Sequence, residues 1–255
     1  MKEQRMYGLW PSPISGKSLA TSLRLSEPCW DTDGKTLAWL EGRSDRGVIV
    51  VQEGESATRD LTPGDMSVRA FVGYGGGDFT LSHGVCYFVG QADQRIYRQP
   101  LVGGPPRPIT PGFGAAASPT VSPDGRWLAY VSVETGVPQI YVRPFPETKV
   151  AKRQVSVNGG LAARWSRSGR ELFFADTSDT IWSVPVPPGP VFSPGIPKEL
   201  FSASQYAPMA PFPFDVSHDD RRFLFTRPVG SQAQRSDELV VVENFIEELK
   251  SKVPR

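Results

Sequence analysis

Hydrolytic chemistry needs a nucleophile, a base and an oxyanion pocket, and this chain offers few residues for any of the three. Its histidines are His83 and His218 alone. Both stand where the sequence reads as a hairpin turn, so both are expected to be exposed turn residues. A serine nucleophile of the hydrolase type sits in Gly-x-Ser-x-Gly at a strand-to-helix elbow, and no such run occurs. Zinc is held by Cys and His ligands at close spacing, whereas Cys29, Cys86, His83 and His218 are dispersed. Gly75-Gly76-Gly77 has the freedom to cradle a phosphate, but the Lys-Ser/Thr and helix start of a phosphate loop are missing. That run fits a tight approach of backbone into a neighbouring strand. The expectation is therefore no enzyme, no metal, no cofactor and no hydrolase activity above background.

Aspartates are more informative. Asp33, Asp124 and Asp219 recur within similar text: Trp30-Asp31-Thr32-Asp33-Gly34-Lys35-Thr36-Leu37-Ala38-Trp39, Val121-Ser122-Pro123-Asp124-Gly125-Arg126-Trp127-Leu128-Ala129-Tyr130 and Val216-Ser217-His218-Asp219-Asp220-Arg221-Arg222-Phe223-Leu224-Phe225. Trp165-Ser166-Arg167-Ser168-Gly169-Arg170-Glu171-Leu172-Phe173-Phe174 is a further copy, and Thr80 to Phe88 a degenerate one. Recurrence across units argues for turn chemistry rather than catalysis. Asp or Ser before Gly makes a tight hairpin, with Gly taking a positive φ. The turn position falls at 34, 84, 125, 169 and 220, spacings of 50, 41, 44 and 51. Repeats of about 40–50 residues, each with several short strands, are propeller blades.

Each unit supplies its strands. An apolar run follows the turn. A third strand comes next: Val48–Val51, Arg95–Arg98, Gln139–Val142, Thr180–Val184 and Leu239–Val242. Four units offer an outer strand flanked by proline, at Asp60–Thr62, Pro108–Thr110, Arg153–Ser156 and Lys198–Phe201, as suits an edge. The last unit lacks one and ends in a helical pattern over 243–252. The fold expected is all-β: one β-propeller of about five four-stranded antiparallel blades with a short C-terminal helix. It occupies 1–255 as a single domain, with blade units near 26–63, 69–111, 116–157, 161–202 and 212–250. Ser18 to Leu25 is expected to complete the last blade and close the ring, leaving a soluble monomer without a long exposed edge.

One column in the repeat varies as a binding position does. Cys29, Phe79, Thr120, Arg164 and Asp215 stand five residues before each turn, on the innermost strand. Propellers bind at the channel mouth, where inner strands and loops converge. The channel-mouth candidates are Arg164, Asp215, Thr120, Arg69 and Tyr74. Arg164 and Asp215 are also expected to approach within ion-pair distance. Trp30, Trp39, Trp127, Trp165, Trp182, Phe173 and Phe223 read as packing between blades.

Composition bounds the partners. The chain has 28 basic and 27 acidic residues, net charge +1, and neither sign forms a block. A nucleic-acid surface needs a clustered basic field, so none is expected. No apolar run reaches the roughly 20 residues of a membrane span. Met1 to Met6 lacks the apolar core of a secretory leader. A cytoplasmic location, reduced thiols and a protein or peptide partner are expected.

Two family resemblances follow. Residues 7–111 resemble the N-terminal propeller of acylaminoacyl-peptidase-type members of the prolyl oligopeptidase family, through Tyr7-Gly8-Leu9-Trp10-Pro11-Ser12-Pro13-Ile14, Trp39-Leu40-Glu41-Gly42-Arg43, Tyr74-Gly75-Gly76-Gly77 and Ala92 to Gln99. Residues 118–255 resemble TolB-type propeller repeats that follow the kinase domain in some bacterial serine/threonine kinases, through Ser122 to Tyr130, Tyr141-Val142-Arg143-Pro144-Phe145-Pro146 and the tail from Val240 to Pro254. Both resemblances imply a propeller. The peptidase family carries a His-Glu pair before its Tyr-Gly-Gly-Gly run, and Val72-Gly73 stands there in this chain. No residues correspond to a hydrolase domain, nor to a kinase's nucleotide loop, His-Arg-Asp or Asp-Phe-Gly. The resemblances leave two alternatives to a free-standing module: a propeller component of such a peptidase, gating its substrates, or the sensor region of a kinase.

Overall fold

The computed structural model describes residues 23–43, 46–72, 77–112, 114–204, 214–217, 219–229 and 236–242. They form an all-β propeller of five antiparallel sheets. The first sheet holds β1 (Arg24–Trp30), β2 (Thr36–Gly42), β3 (Gly47–Glu53) and β4 (Arg59–Asp60). The second holds β5 (Phe79–Ser82), β6 (Val85–Val89), β7 (Ile96–Pro100) and β8 (Arg107–Pro108). The third holds β9 (Ala116–Val121), β10 (Trp127–Ser132), β11 (Gln139–Pro144) and β12 (Arg153–Gln154). The fourth holds β13 (Ala162–Trp165), β14 (Glu171–Ala175), β15 (Thr180–Pro185) and β16 (Lys198–Ser202). The fifth holds β17 (Asp215–Val216), β18 (Phe223–Val229) and β19 (Ser236–Val242). Each sheet is a meander, with consecutive strands paired. Four sheets have four strands, and the fifth has three among the described residues. The C-terminal helix expected over 243–252 lies outside them.

The repeat's turn chemistry is what builds the blades. Gly34, Gly84, Gly125, Gly169 and Asp220 have φ of 68°, 73°, 70°, 68° and 58°, the left-handed conformation that glycine adopts without strain. The preceding aspartates close these turns onto the backbone. Oδ1 of Asp33 accepts from the Lys35 N–H at 2.8 Å, and Asp124 and Asp219 accept from Arg126 and Arg221, each at 3.2 Å. Turns also tie neighbouring sheets together. Asp31 Oδ2 accepts from the Gly84 N–H at 2.9 Å, and Thr32 Oγ1 from the His83 N–H at 2.9 Å. Asp220 accepts from Arg167 and Ser168 N–H groups at 2.6 and 3.1 Å. His83 is an exposed turn residue, as expected; His218 lies outside the described residues.

The core fills the spaces between sheets. Ala38, Leu40, Ile49 and Val51 of the first sheet pack on Phe79, Leu81, Cys86 and Phe88 of the second. A larger cluster joins the second, third and fourth sheets through Tyr87, Leu128, Tyr130, Ile140, Leu172 and Phe174. Phe173 and Ile181 of the fourth meet Phe214, Phe223 and Phe225 of the fifth. Among the described residues no apolar cluster joins the fifth sheet to the first.

Two expectations change here. Trp30 is not core but 59% exposed, because the face it occupies has no sheet packed on it among the described residues. Arg24 and Leu25 do not serve the last blade. They belong to β1 and pair with Gly42 and Glu41 of β2, because β1 runs on through a bulge before reaching its turn. Residues 18–22 lie outside the described residues.

Candidate functional site

The five inner strands β1, β5, β9, β13 and β17 surround the axis, and one irregularity shapes how they begin. Seven residues before the turn stand Glu27, Gly77 and Ser118, with φ of 52°, 66° and 49°. In β1 and β9 this residue sits at a register shift, between Ser26 and Cys29 and opposite Ala129–Val131. A bulge re-aims the side chain it carries. Glu27 is turned onto the second sheet, where Oε1 accepts from the Gly77 N–H at 2.8 Å and Oε2 from the Asp78 N–H at 2.9 Å. The Ser118 N–H donates in turn to the Gly77 carbonyl at 2.7 Å. Any side chain at 77 would meet Ser118 Oγ at 2.0 Å, so glycine is required. This is the tight backbone approach that the glycine run suggested; Gly75 and Gly76 lie outside the described residues.

The result is a cluster of ionisable groups at the axis. Burial, and then the neighbouring Asp78 carboxylate, push Glu27 up to about 7, against the two amides and Arg164. Burial raises Asp78 as well, opposed by its hydrogen bond from the Ala70 N–H and by the Arg69 charge. Burial raises the Cys29 thiol; the Leu81 backbone, Arg164 and Thr80 hold it back, and Asp215 adds to the rise. Arg164, from the fourth sheet, therefore acts on Glu27 and Cys29 of the first, and Asp215 of the fifth acts on the same thiol.

Of the sequence candidates, Arg164 and Asp215 stand at the register of β13 and β17 that Cys29 holds in β1, opposite Phe173, Leu224 and Ala38 respectively. The structure does not pair them: no N···O distance of 4.0 Å or less joins the two, and each hydrogen-bonds nearby backbone. Arg164 Nη1 donates to the Ala163 carbonyl and Asp215 Oδ1 accepts from the Val216 N–H, both at 2.8 Å. Thr120, half-buried at the same level of β9, accepts at its carbonyl from Trp165 Nε1 at 3.3 Å. Arg69 is exposed in the segment leading to β5, with its guanidinium 5.6 Å from the Phe71 ring centre. Tyr74 lies outside the described residues.

Glu27 is not legible in the sequence, because the variable charged column stands five residues before the turn and Glu27 stands seven before it. The signal was a carboxylate in a column otherwise occupied by Gly77, Ser118 and Ala162. Among the described residues no group of three or more His, Cys, Asp or Glu is arranged to hold a metal ion. None of their helices is long and apolar enough to cross a membrane.

No protein-family model matches the chain, and no curated protein does. Solved structures do. A puromycin-hydrolyzing peptidase of Mycobacterium tuberculosis is 20% identical with a TM-score of 0.67, over 97% of this chain and 49% of that one. TolB from Acinetobacter baumannii is 14% identical with a TM-score of 0.63, over 88% and 52%. A putative TolB from Agrobacterium tumefaciens is 16% identical with a TM-score of 0.64, over 88% and 78%. The chain thus spans about half the length of the first two. At these identities the likeness establishes the TolB-like, peptidase-propeller fold, and a fold hosts many functions.

Proposed function

We propose that this propeller is a non-catalytic, monomeric binding module that recognises a protein or peptide partner at its channel mouth. The observation that carries the reading is the shared register of Cys29, Arg164 and Asp215 on three different inner strands, with Glu27 two residues before Cys29. Charged groups gathered on a rigid ring of sheets are suited to recognition, because the scaffold has already met the cost of ordering them. A second reading is supported by length. The chain spans 49% of the peptidase it is similar to, so it is also suited to act as the propeller component of a hydrolase whose catalytic domain lies outside these residues.

A photo-crosslinking residue at position 215 tests both, with the exposed rim residue Val102 as control. The binding-module reading expects a discrete adduct from 215 and none from 102. An adduct with a hydrolase favours the second reading. Equal yields from both positions remove the channel mouth as the site. Turnover of an aminoacyl ester by the pure chain, insensitive to serine-directed inhibitors, would contradict the non-catalytic reading.

A further inference from the structure

Arg164 and Asp215 carry opposite charges at the same level of neighbouring inner strands, and most of their bonding capacity is unspent. A guanidinium has five N–H donors, of which Arg164 uses one, on its neighbour's carbonyl. Asp215 accepts one bond, from the N–H next along its chain. Neither enters an ion pair among the described residues. The other residues of that level, Cys29, Phe79 and Thr120, are uncharged. The level therefore presents one cation and one anion, set apart, on an otherwise neutral ring. A half-buried guanidinium with no carboxylate oxygen within 4.0 Å among the described residues is a poor choice for stability, since unpaired charge is costly to bury. It is a good choice for receiving a carboxylate, which it binds through parallel N–H bonds.

We infer that this pair receives a ligand carrying a carboxylate and an ammonium close together: a free amino acid, or a peptide whose C-terminal residue is lysine. Arg164 takes the carboxylate and Asp215 the ammonium, with the ligand's stem over Cys29. The inference rests on the channel-mouth reading above and names the chemistry of what is bound there. It also explains why the two side chains do not neutralise one another: a ligand of this class bridges them.

Calorimetry on the full chain tests it. Alanine represents the free amino acid, and N-acetyl-Ala-Ala-Lys, with its α-carboxylate and ε-ammonium, represents the peptide end. N-acetyl-Ala-Ala-Ala carries the carboxylate alone, and N-acetyl-Ala-Ala-Lys-amide the ammonium alone. At least one doubly charged probe is expected to bind tenfold or more tightly than either singly charged one, and which of the two does so identifies the source. Arg164→Gln and Asp215→Asn should each weaken that probe at least tenfold with unchanged melting, while Arg107→Gln, on the exposed β8, leaves it unchanged. Asp215→Asn is isosteric and on an exposed carboxylate, so it keeps the test open if the arginine variant fails to fold. Equal binding of a singly charged probe, no saturation by any probe, or insensitivity to both variants would overturn the inference. If these probes fail while position 215 still crosslinks a partner, the ligand class is wrong and the channel-mouth reading stands.

Discussion

Trp165 and Trp30 occupy the same place in the repeat, four residues before their turns, and meet different fates. Trp165 is 6% exposed and Trp30 is 59% exposed. The difference lies in the neighbours. Trp165 leans on the third sheet, donates to the Thr120 carbonyl and is capped by Phe192, whose ring also packs on Trp127 at 5.3 Å. Phe192 belongs to the irregular stretch between β15 and β16, which reaches back over the third sheet and is held by Arg126 Nη1 on the Gly189 carbonyl at 2.8 Å. Trp30 faces the side on which a closed ring would place the fifth sheet. Leu25, on the same face, is 62% exposed. The same residue at one register is thus core or surface according to what the neighbouring sheet supplies. The seams along the chain are built, whereas the one joining the fifth sheet to the first is bare among the described residues.

Alanine at each tryptophan gives the largest contrast. Removing a buried indole leaves a cavity and costs about 3–5 kcal/mol, while an exposed one costs below ~1 kcal/mol. Urea unfolding of Trp165→Ala and Trp30→Ala should show that gap. Equal losses would mean that the bare seam is packed in solution and that the ring closes through it.

The sequence made the sheets legible because turn chemistry is local. Gly34, Gly125 and Gly169, each after Asp or Ser, specify their own hairpins without help from distant residues. In three blades the expected outer strand ends two residues past the observed one: Asp60–Thr62 is expected, whereas β4 is Arg59–Asp60. Only two residues pair there, and their alternation is too short to fix a register. The site was half legible. Arg164 and Asp215 stood out as charges in an inner column. Glu27 did not, since its role depends on a left-handed φ and on amides some 50 residues away, which no local pattern encodes. Trp30 misled for the opposite reason: composition marks a residue as able to be core, but its neighbour decides.

Acidity distinguishes the built seam between the first two sheets from the bare one. Glu27 in the folded state titrates at about 7, above its ordinary 4.5, so the folded chain holds that proton more tightly than the unfolded one. Below about 4.5 both states are protonated and above about 7 both are ionised. Between these limits stability falls as pH rises, by about 3 kcal/mol in total for this group. Asp78, shifted in the same direction, adds to the fall. Urea midpoints at pH 5, 6 and 8 should decline, and Glu27→Gln should flatten the decline. A stability that rises across this window would show that Glu27 is not buried against Gly77 and Asp78.

A smaller effect is expected at the latch between the fourth and fifth sheets. Asp220 is the one turn residue of the five that is not glycine, and it holds φ at 58°. Asp220→Gly relieves about 1 kcal/mol of left-handed strain but removes the acceptor of the Arg167 and Ser168 N–H groups. Hydrogen bonds to a charged group are each worth about 1.5–3 kcal/mol, less where water competes. The net loss should be about 1 kcal/mol. A stabilised Asp220→Gly variant would mean that the latch contributes nothing and that aspartate is only a tolerated substitute.

The smallest change belongs to the matching latch between the first and second sheets. Asp31 is 5% exposed; Oδ2 accepts from the Gly84 N–H, while Oδ1 is buried without a hydrogen-bond partner. Half of this carboxylate therefore does the latching and half is only desolvated. Asp31→Asn keeps one acceptor for Gly84 and replaces the orphaned, charged oxygen by a neutral amide nitrogen. Losing charge weakens the Gly84 bond, and losing a buried charge lowers the cost of burial, so the two effects oppose. The expected change is within about 1 kcal/mol of the parent, in either direction. Asp31→Ala, which leaves the Gly84 N–H without its acceptor, should cost about 1–3 kcal/mol. Measured together by urea unfolding, the pair isolates the contribution of one oxygen to a seam. If Asn costs as much as Ala, the charge itself holds the first two sheets together, and the bare seam differs from the built ones in electrostatics as well as in packing.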